Sequence, residues 1–68
     1  MPIIEVTLAE GRTPAQLRAL IHELTEGARR ALDAPIPSIR VILRETPPTH
    51  FAAGDVTLEE RRAHGTET

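Results

Sequence analysis

The chain has 68 residues, with eight Arg and no Lys, ten acidic residues, three His, one Phe and no Cys, Trp or Tyr. That length holds one domain, and the composition excludes disulfides, thiolate zinc sites, thiol nucleophiles, lysine Schiff bases and tyrosine acids. A formal charge of −2 with interspersed signs gives no electrostatic footprint for nucleic acid, and no apolar run approaches the ~20 residues of a membrane span.

Residues Pro2 to Leu8 alternate, with Ile4, Val6 and Leu8 on one face and Ile3, Glu5 and Thr7 on the other, which predicts a strand. Thr13-Pro14-Ala15-Gln16 then supplies an N-cap, a first-turn proline and a Gln three residues after the cap, so a helix starts there. Leu17, Leu20, Ile21, Leu24, Ala28, Ala31 and Leu32 place an apolar stripe along about five turns, opposite Arg18, His22, Glu26 and Arg30. Gly27 costs that helix roughly 1 kcal/mol relative to Ala, so close packing against a neighbouring backbone is expected at that point.

The prolines at 35 and 37 end the helix, and Ser38 to Arg44 repeats the alternating pattern in a second strand. Two strands joined by one helix predict an α+β fold built on a right-handed β-α-β unit with parallel strands. Glu45 to Thr49 reads as a stiff extended linker, and His50 to Val56 as a short hairpin with Gly54-Asp55 at its tightest point. Residues 1–56 form the expected domain. The polar segment 57–68, with Arg61-Arg62 after Glu59-Glu60, reads as a solvated tail that is partly helical or disordered. His22, His50 and His64 lack metal-ligand spacing, so they are expected at the surface and no metal is expected.

Burying about 60% of the unfolded surface yields roughly 100 kcal/mol of apolar burial, and ordering the chain cancels it. A two-stranded sheet covered by one helix also leaves an open face, carrying Ile3 and Ile42, and unpaired edges. Other copies of the chain would cover both. The start lacks a basic segment followed by an apolar signal core, which makes a cytoplasmic protein the expectation.

From position alone Pro2 begins an edge strand, where its missing N–H is harmless. Removal of Met1, usual before a small residue, gives it a second reading: a free secondary amine and, with no Lys present, the sole candidate for amine chemistry. An α-amino group titrates near ~7.7–8.0, and an apolar wall or a nearby cation lowers it towards roughly 6–7, where it is a competent base at neutral pH. A retained Met1 would acylate the nitrogen and abolish its basicity. Parallel pairing puts Arg40 on the same sheet edge as Pro2 and leaves Arg12 more than about 25 Å from it, so a site using both arginines must be shared between subunits.

Pro2 opening a strand, Glu10-Gly11-Arg12-Thr13, Leu32-Asp33-Ala34-Pro35, Ser38-Ile39-Arg40-Val41-Ile42 and Pro47-Pro48-Thr49-His50-Phe51 together resemble a 4-oxalocrotonate tautomerase subunit over residues 2–56. The resemblance implies a β-α-β protomer with a short C-terminal hairpin, assembled into dimers and a hexamer with active sites between subunits. It implies cofactor-free ketonisation of a 2-hydroxydienoate such as 2-hydroxymuconate, in aromatic catabolism. Pro2 would be the general base. Arg40 would polarise the 2-oxo or 2-hydroxy group and its carboxylate, with Ser38 beside it, and Arg12 would bind the distal carboxylate. Phe51 would keep the base desolvated.

Ala9 and Ala53 stand where the family commonly has bulkier side chains, so a roomier pocket and a longer or substituted substrate are expected. Ala52 and Ala53 also replace the carboxylate that related dehalogenases and hydratases need to activate water, which disfavours hydrolytic dehalogenation. Two alternatives remain open at this point: an enzyme for a larger biosynthetic dienol, and an accessory subunit of a heterohexamer.

Overall fold

The computed structural model describes residues 1–64. Strand β1 (Ile3–Ala9) leads into helix α1 (Pro14–Leu32), which returns the chain to strand β2 (Arg40–Thr46). The strands pair in parallel, with Ile3 opposite Arg40, Glu5 opposite Ile42 and Ala9 opposite Thr46. A short antiparallel hairpin, β3 (Ala52–Ala53) and β4 (Val56–Thr57), and helix α2 (Leu58–Ala63) complete the protomer. The β-α-β unit and the C-terminal hairpin agree with the fold read from the sequence.

Local chemistry sets the boundaries. The Thr13 hydroxyl accepts from the Gln16 amide and the Gln16 side chain accepts from the Thr13 amide, closing a capping box at the start of α1. At the other end Asp33 takes the left-handed conformation (φ 54°) and its amide donates to the Arg29 carbonyl, while Arg29 and Arg30 lie on the negative end of the helix dipole. Gly54 and Asp55 both have positive φ (59° and 66°), as a type I′ hairpin turn requires.

Three expectations need correction. The second strand runs from Arg40 to Thr46 rather than Ser38 to Arg44, because Ile36–Ser38 forms a 3-10 turn in which the Ser38 amide and hydroxyl both donate to the Pro35 carbonyl. The extended linker is shorter than expected, since Glu45 and Thr46 still pair with β1 and Pro48–His50 makes another 3-10 turn. Finally, a Cβ added at Gly27 meets nothing within 4 Å, so this glycine has no packing neighbour within the described chain. The polar segment after residue 56 is partly helical, one of the two readings given for it, because Thr57 and Glu60 form a second capping box.

The core is thin. Among the described residues only Ala9 and Ile39 are buried, although Ile4, Val6, Leu8, Val41 and Leu43 turn half-buried side chains toward α1. Ile3 and Ile42 on the opposite sheet face stay 59% and 41% exposed, and Leu32, Ile36, Phe51 and Val56 are exposed as well. An isolated protomer therefore leaves many of its large apolar side chains in water.

Candidate active site

Two clusters form, one at each end of the β1–β2 sheet. At the first, the Arg40 amide donates to the Pro2 carbonyl at 3.0 Å, so backbone pairing fixes the two residues side by side. The Arg40 guanidinium folds over the preceding 3-10 turn and donates to the Pro37 carbonyl at 2.7 Å. One N–H is used there, and the rest of the planar fork is left to bind an anion. Ser38 lies in the same turn, two residues before Arg40, with its hydroxyl hydrogen committed to Pro35.

The second cluster surrounds the far end of β1, about 20 Å away along a seven-residue strand. Ala9 ends the strand, and the Arg12 guanidinium turns back to donate to the Ala9 carbonyl at 3.2 Å. The Leu58 amide donates to the Phe51 carbonyl at 2.7 Å, tying α2 to the aromatic residue. Ala9, Arg12, Phe51, Leu58 and Arg62 together line a cleft of about 320 Å³, within the range of small-ligand sites. Ala53 is not on this cleft. It lines an adjoining one of about 220 Å³ that shares Phe51 and Leu58.

The structure thus brings Pro2 and Arg40 together, with Ser38 beside them in the chain, and gathers Ala9, Arg12 and Phe51 elsewhere, with Ala53 next door. Within one protomer the two sets do not meet. Leu58 and Arg62 were not singled out from the sequence as site residues. The available signal was the Thr57-x-x-Glu60 capping box, which starts a helix that carries residues 58 and 62 on one face. The histidines at 22, 50 and 64 are exposed, as their spacing suggested.

The cleft at the Arg12 end combines cations with an apolar wall, a setting that favours an anion carrying a flat carbon skeleton. The cluster at the Pro2 end pairs another cation, Arg40, with the nitrogen that would become an amine on removal of Met1.

Comparison with known proteins gives the family. Residues 2–61 match the model of the Tautomerase family, described as tautomerase enzymes. A 2-hydroxymuconate tautomerase of Stutzerimonas stutzeri is 46% identical over 54 residues, covering 79% of this chain and 86% of that protein. The crystal structure of TomN, a 4-oxalocrotonate tautomerase homologue in the tomaymycin biosynthetic pathway, superposes with a TM-score of 0.89 at 45% identity, covering 91% of this chain and 95% of that one. A heterohexamer 4-oxalocrotonate tautomerase from Chloroflexus aurantiacus superposes with a TM-score of 0.85 at 35% identity, covering 88% and 97%. The chain therefore belongs to the tautomerase family, whose members interconvert keto and enol forms.

Proposed function

We propose that this protein ketonises a 2-hydroxydienoate of the 2-hydroxymuconate type, without a cofactor, at sites shared between subunits. The observation that carries the proposal is the division of the functional groups, with Pro2 and Arg40 at one end of the sheet and the Arg12–Phe51 cleft at the other. A two-fold arrangement of protomers across the open sheet face sets one end of a subunit against the opposite end of its partner.

In this reading Pro2, freed of Met1, accepts the proton of the 2-hydroxyl group and returns it to a carbon of the dienolate. Arg40 donates hydrogen bonds to the developing 2-oxo group and the adjacent carboxylate. Arg12 holds the distal carboxylate and draws electron density along the conjugated chain, while Phe51 excludes water from the amine. No group outside the chain and substrate is needed, because the proton removed is the proton returned. The test follows 2-hydroxymuconate by ultraviolet absorbance using chain whose intact mass corresponds to loss of Met1. Ketonisation well above the buffer rate supports the proposal, and a rate equal to buffer contradicts it.

A larger dienol is the second reading, supported by the small Ala9 side chain at the cleft and by likeness to a homologue from a biosynthetic pathway. Ala9→Leu then impairs the larger substrate more than 2-hydroxymuconate. Likeness to a heterohexamer subunit also keeps a mixed assembly in view. Native mass spectrometry of the purified chain distinguishes a homohexamer from a subunit that needs a partner.

A further inference from the structure

The open face of the β1–β2 sheet carries Ile3, Glu5 and Thr7 from one strand and Arg40, Ile42 and Arg44 from the other, since partners in register point to the same side. Ile3 and Ile42 lie on one diagonal of this face, two residues out of direct register. Glu5 and Arg44 lie on the next diagonal, parallel to the first. The Arg44 guanidinium spans that second diagonal and donates to the Glu5 carboxylate at 2.8 Å. Arg40, the remaining charge of the face, folds back over the 3-10 turn to the Pro37 carbonyl. An apolar stripe therefore runs beside a stripe with one negative and one positive end.

Exposed on a single protomer, the Glu5–Arg44 pair contributes little to that protomer's fold. Between protomers the same charges matter more. A subunit that covers the exposed Ile3 and Ile42 also takes the neighbouring charges out of water, and such charges need opposite charges and further hydrogen bonds against them. A face with one acid and one base supplies both to its own copy. In a two-fold contact Glu5 meets the partner's Arg44 while Arg44 meets the partner's Glu5. A carboxylate accepts at about four lone-pair sites and a guanidinium donates five N–H groups, so each holds the pair within its chain and the pair across the contact at once. A partner with uncharged or like-charged side chains at these points offers neither.

We propose that Glu5 and Arg44 select the subunit that docks on the open sheet face, admitting a second copy of this chain through an alternating ring of four charges and rejecting a subunit with another charge order. This selection requires burial of the face between subunits and is independent of the substrate.

The double variant Glu5→Arg/Arg44→Glu exchanges the two charges, keeps the net charge at −2 and retains an ion pair within the chain. It should fold and assemble as the wild type does. Because the exchange leaves the mass unchanged, the wild type is labelled with nitrogen-15, and the two chains are unfolded, refolded together and followed by native mass spectrometry. Like charges face each other only in mixed assemblies, so these should fall about tenfold or more below their random share. Random mixing, or a wild type that stays monomeric, overturns the proposal.

The single variants decide the matter where the exchanged chain does not assemble. Glu5→Arg presents two cations and Arg44→Glu two anions, so each alone should shift to smaller species, and an equimolar mixture should recover full-size assemblies containing both chains. Circular dichroism establishes that each variant folds. Single variants that assemble as the wild type does, or a mixture as dissociated as its parts, overturn the proposal, because the pair then acts only within one chain.

Discussion

The backbone amide of Arg40 donates to the carbonyl of Pro2 at 3.0 Å. This bond continues the parallel ladder just beyond the pairing of Ile3 with Arg40. It holds Arg40 beside the residue whose nitrogen the loss of Met1 would free, so the position of the proposed base is set by sheet register.

Pro2→Ala should lower kcat/KM for ketonisation by about 100-fold or more, the usual contribution of a positioned general base. In the wild type the rate should rise with pH along a limb at or below the ordinary α-amino range of ~7.7–8.0, since nearby cations and an apolar wall both favour the neutral amine. Stopped-flow absorbance across the pH range checks this, and a limb at about 9 or above contradicts a tuned prolyl base.

Ile42→Asp should break the assembly. Ile42 is 41% exposed on the open sheet face, near Ile3 at 59%, and a carboxylate buried there against another copy is strongly unfavourable. Sedimentation should show a shift towards monomer, with activity falling in parallel. A variant that stays fully assembled contradicts burial of this face between subunits.

Gly27→Ala should stabilise the helix by about 0.5–1 kcal/mol, because the added methyl meets no described atom within 4 Å while the glycine penalty is removed. Thermal unfolding reads the change. A lower melting temperature instead locates Gly27 against a neighbouring subunit, where the sequence-based expectation of close packing would hold.

Glu26 gives a pH signature for the helix surface. The Arg29 guanidinium donates to its carboxylate at 3.0 Å and holds it below the ordinary value of 4.5, with the positive charges of Arg29, His22 and Arg30 adding to the effect and partial desolvation opposing it. A carboxyl group whose folded pKa is depressed adds stability above its unfolded pKa and loses it as pH falls through the folded value. Glu26→Gln should therefore be slightly less stable than wild type at neutral pH and equal to it in acid. A difference that persists at pH 2 would contradict that linkage.

Much of this was legible in the sequence, for physical reasons that differ by element. The alternation Ile4, Val6, Leu8 and Ile39, Val41, Leu43 specifies the buried face and the register, because a one-residue slip would turn every apolar side chain to the wrong face, and the helix between the strands makes the pair parallel. Thr13-Pro14-x-Gln16 marks the helix start because each residue satisfies an otherwise orphaned amide or lacks one. β2 starts two residues later than alternation predicts, since Ser38 and Ile39 are as compatible with alternation as Arg40 and only the hydrogen bonds to Pro35 and Ile36 reveal the turn. The charge pattern of Arg62 with Glu59 and Glu60 is that of an exposed face. Its place on the cleft depends on the hairpin bringing α2 back towards the end of β1, a long-range arrangement that charge pattern does not encode.

Sharing of the site between subunits can be tested by complementation. Pro2→Ala and Arg12→Gln chains, each impaired alone, are unfolded and refolded together, and native mass spectrometry verifies that mixed assemblies form. Random pairing at a two-subunit site leaves about a quarter of sites with an intact Pro2 from one chain and an intact Arg12 from the other, so the mixture should recover about a quarter of wild-type activity. A verified mixed assembly no more active than its two parents would contradict a shared site and require Pro2 and Arg12 of a single protomer to act together.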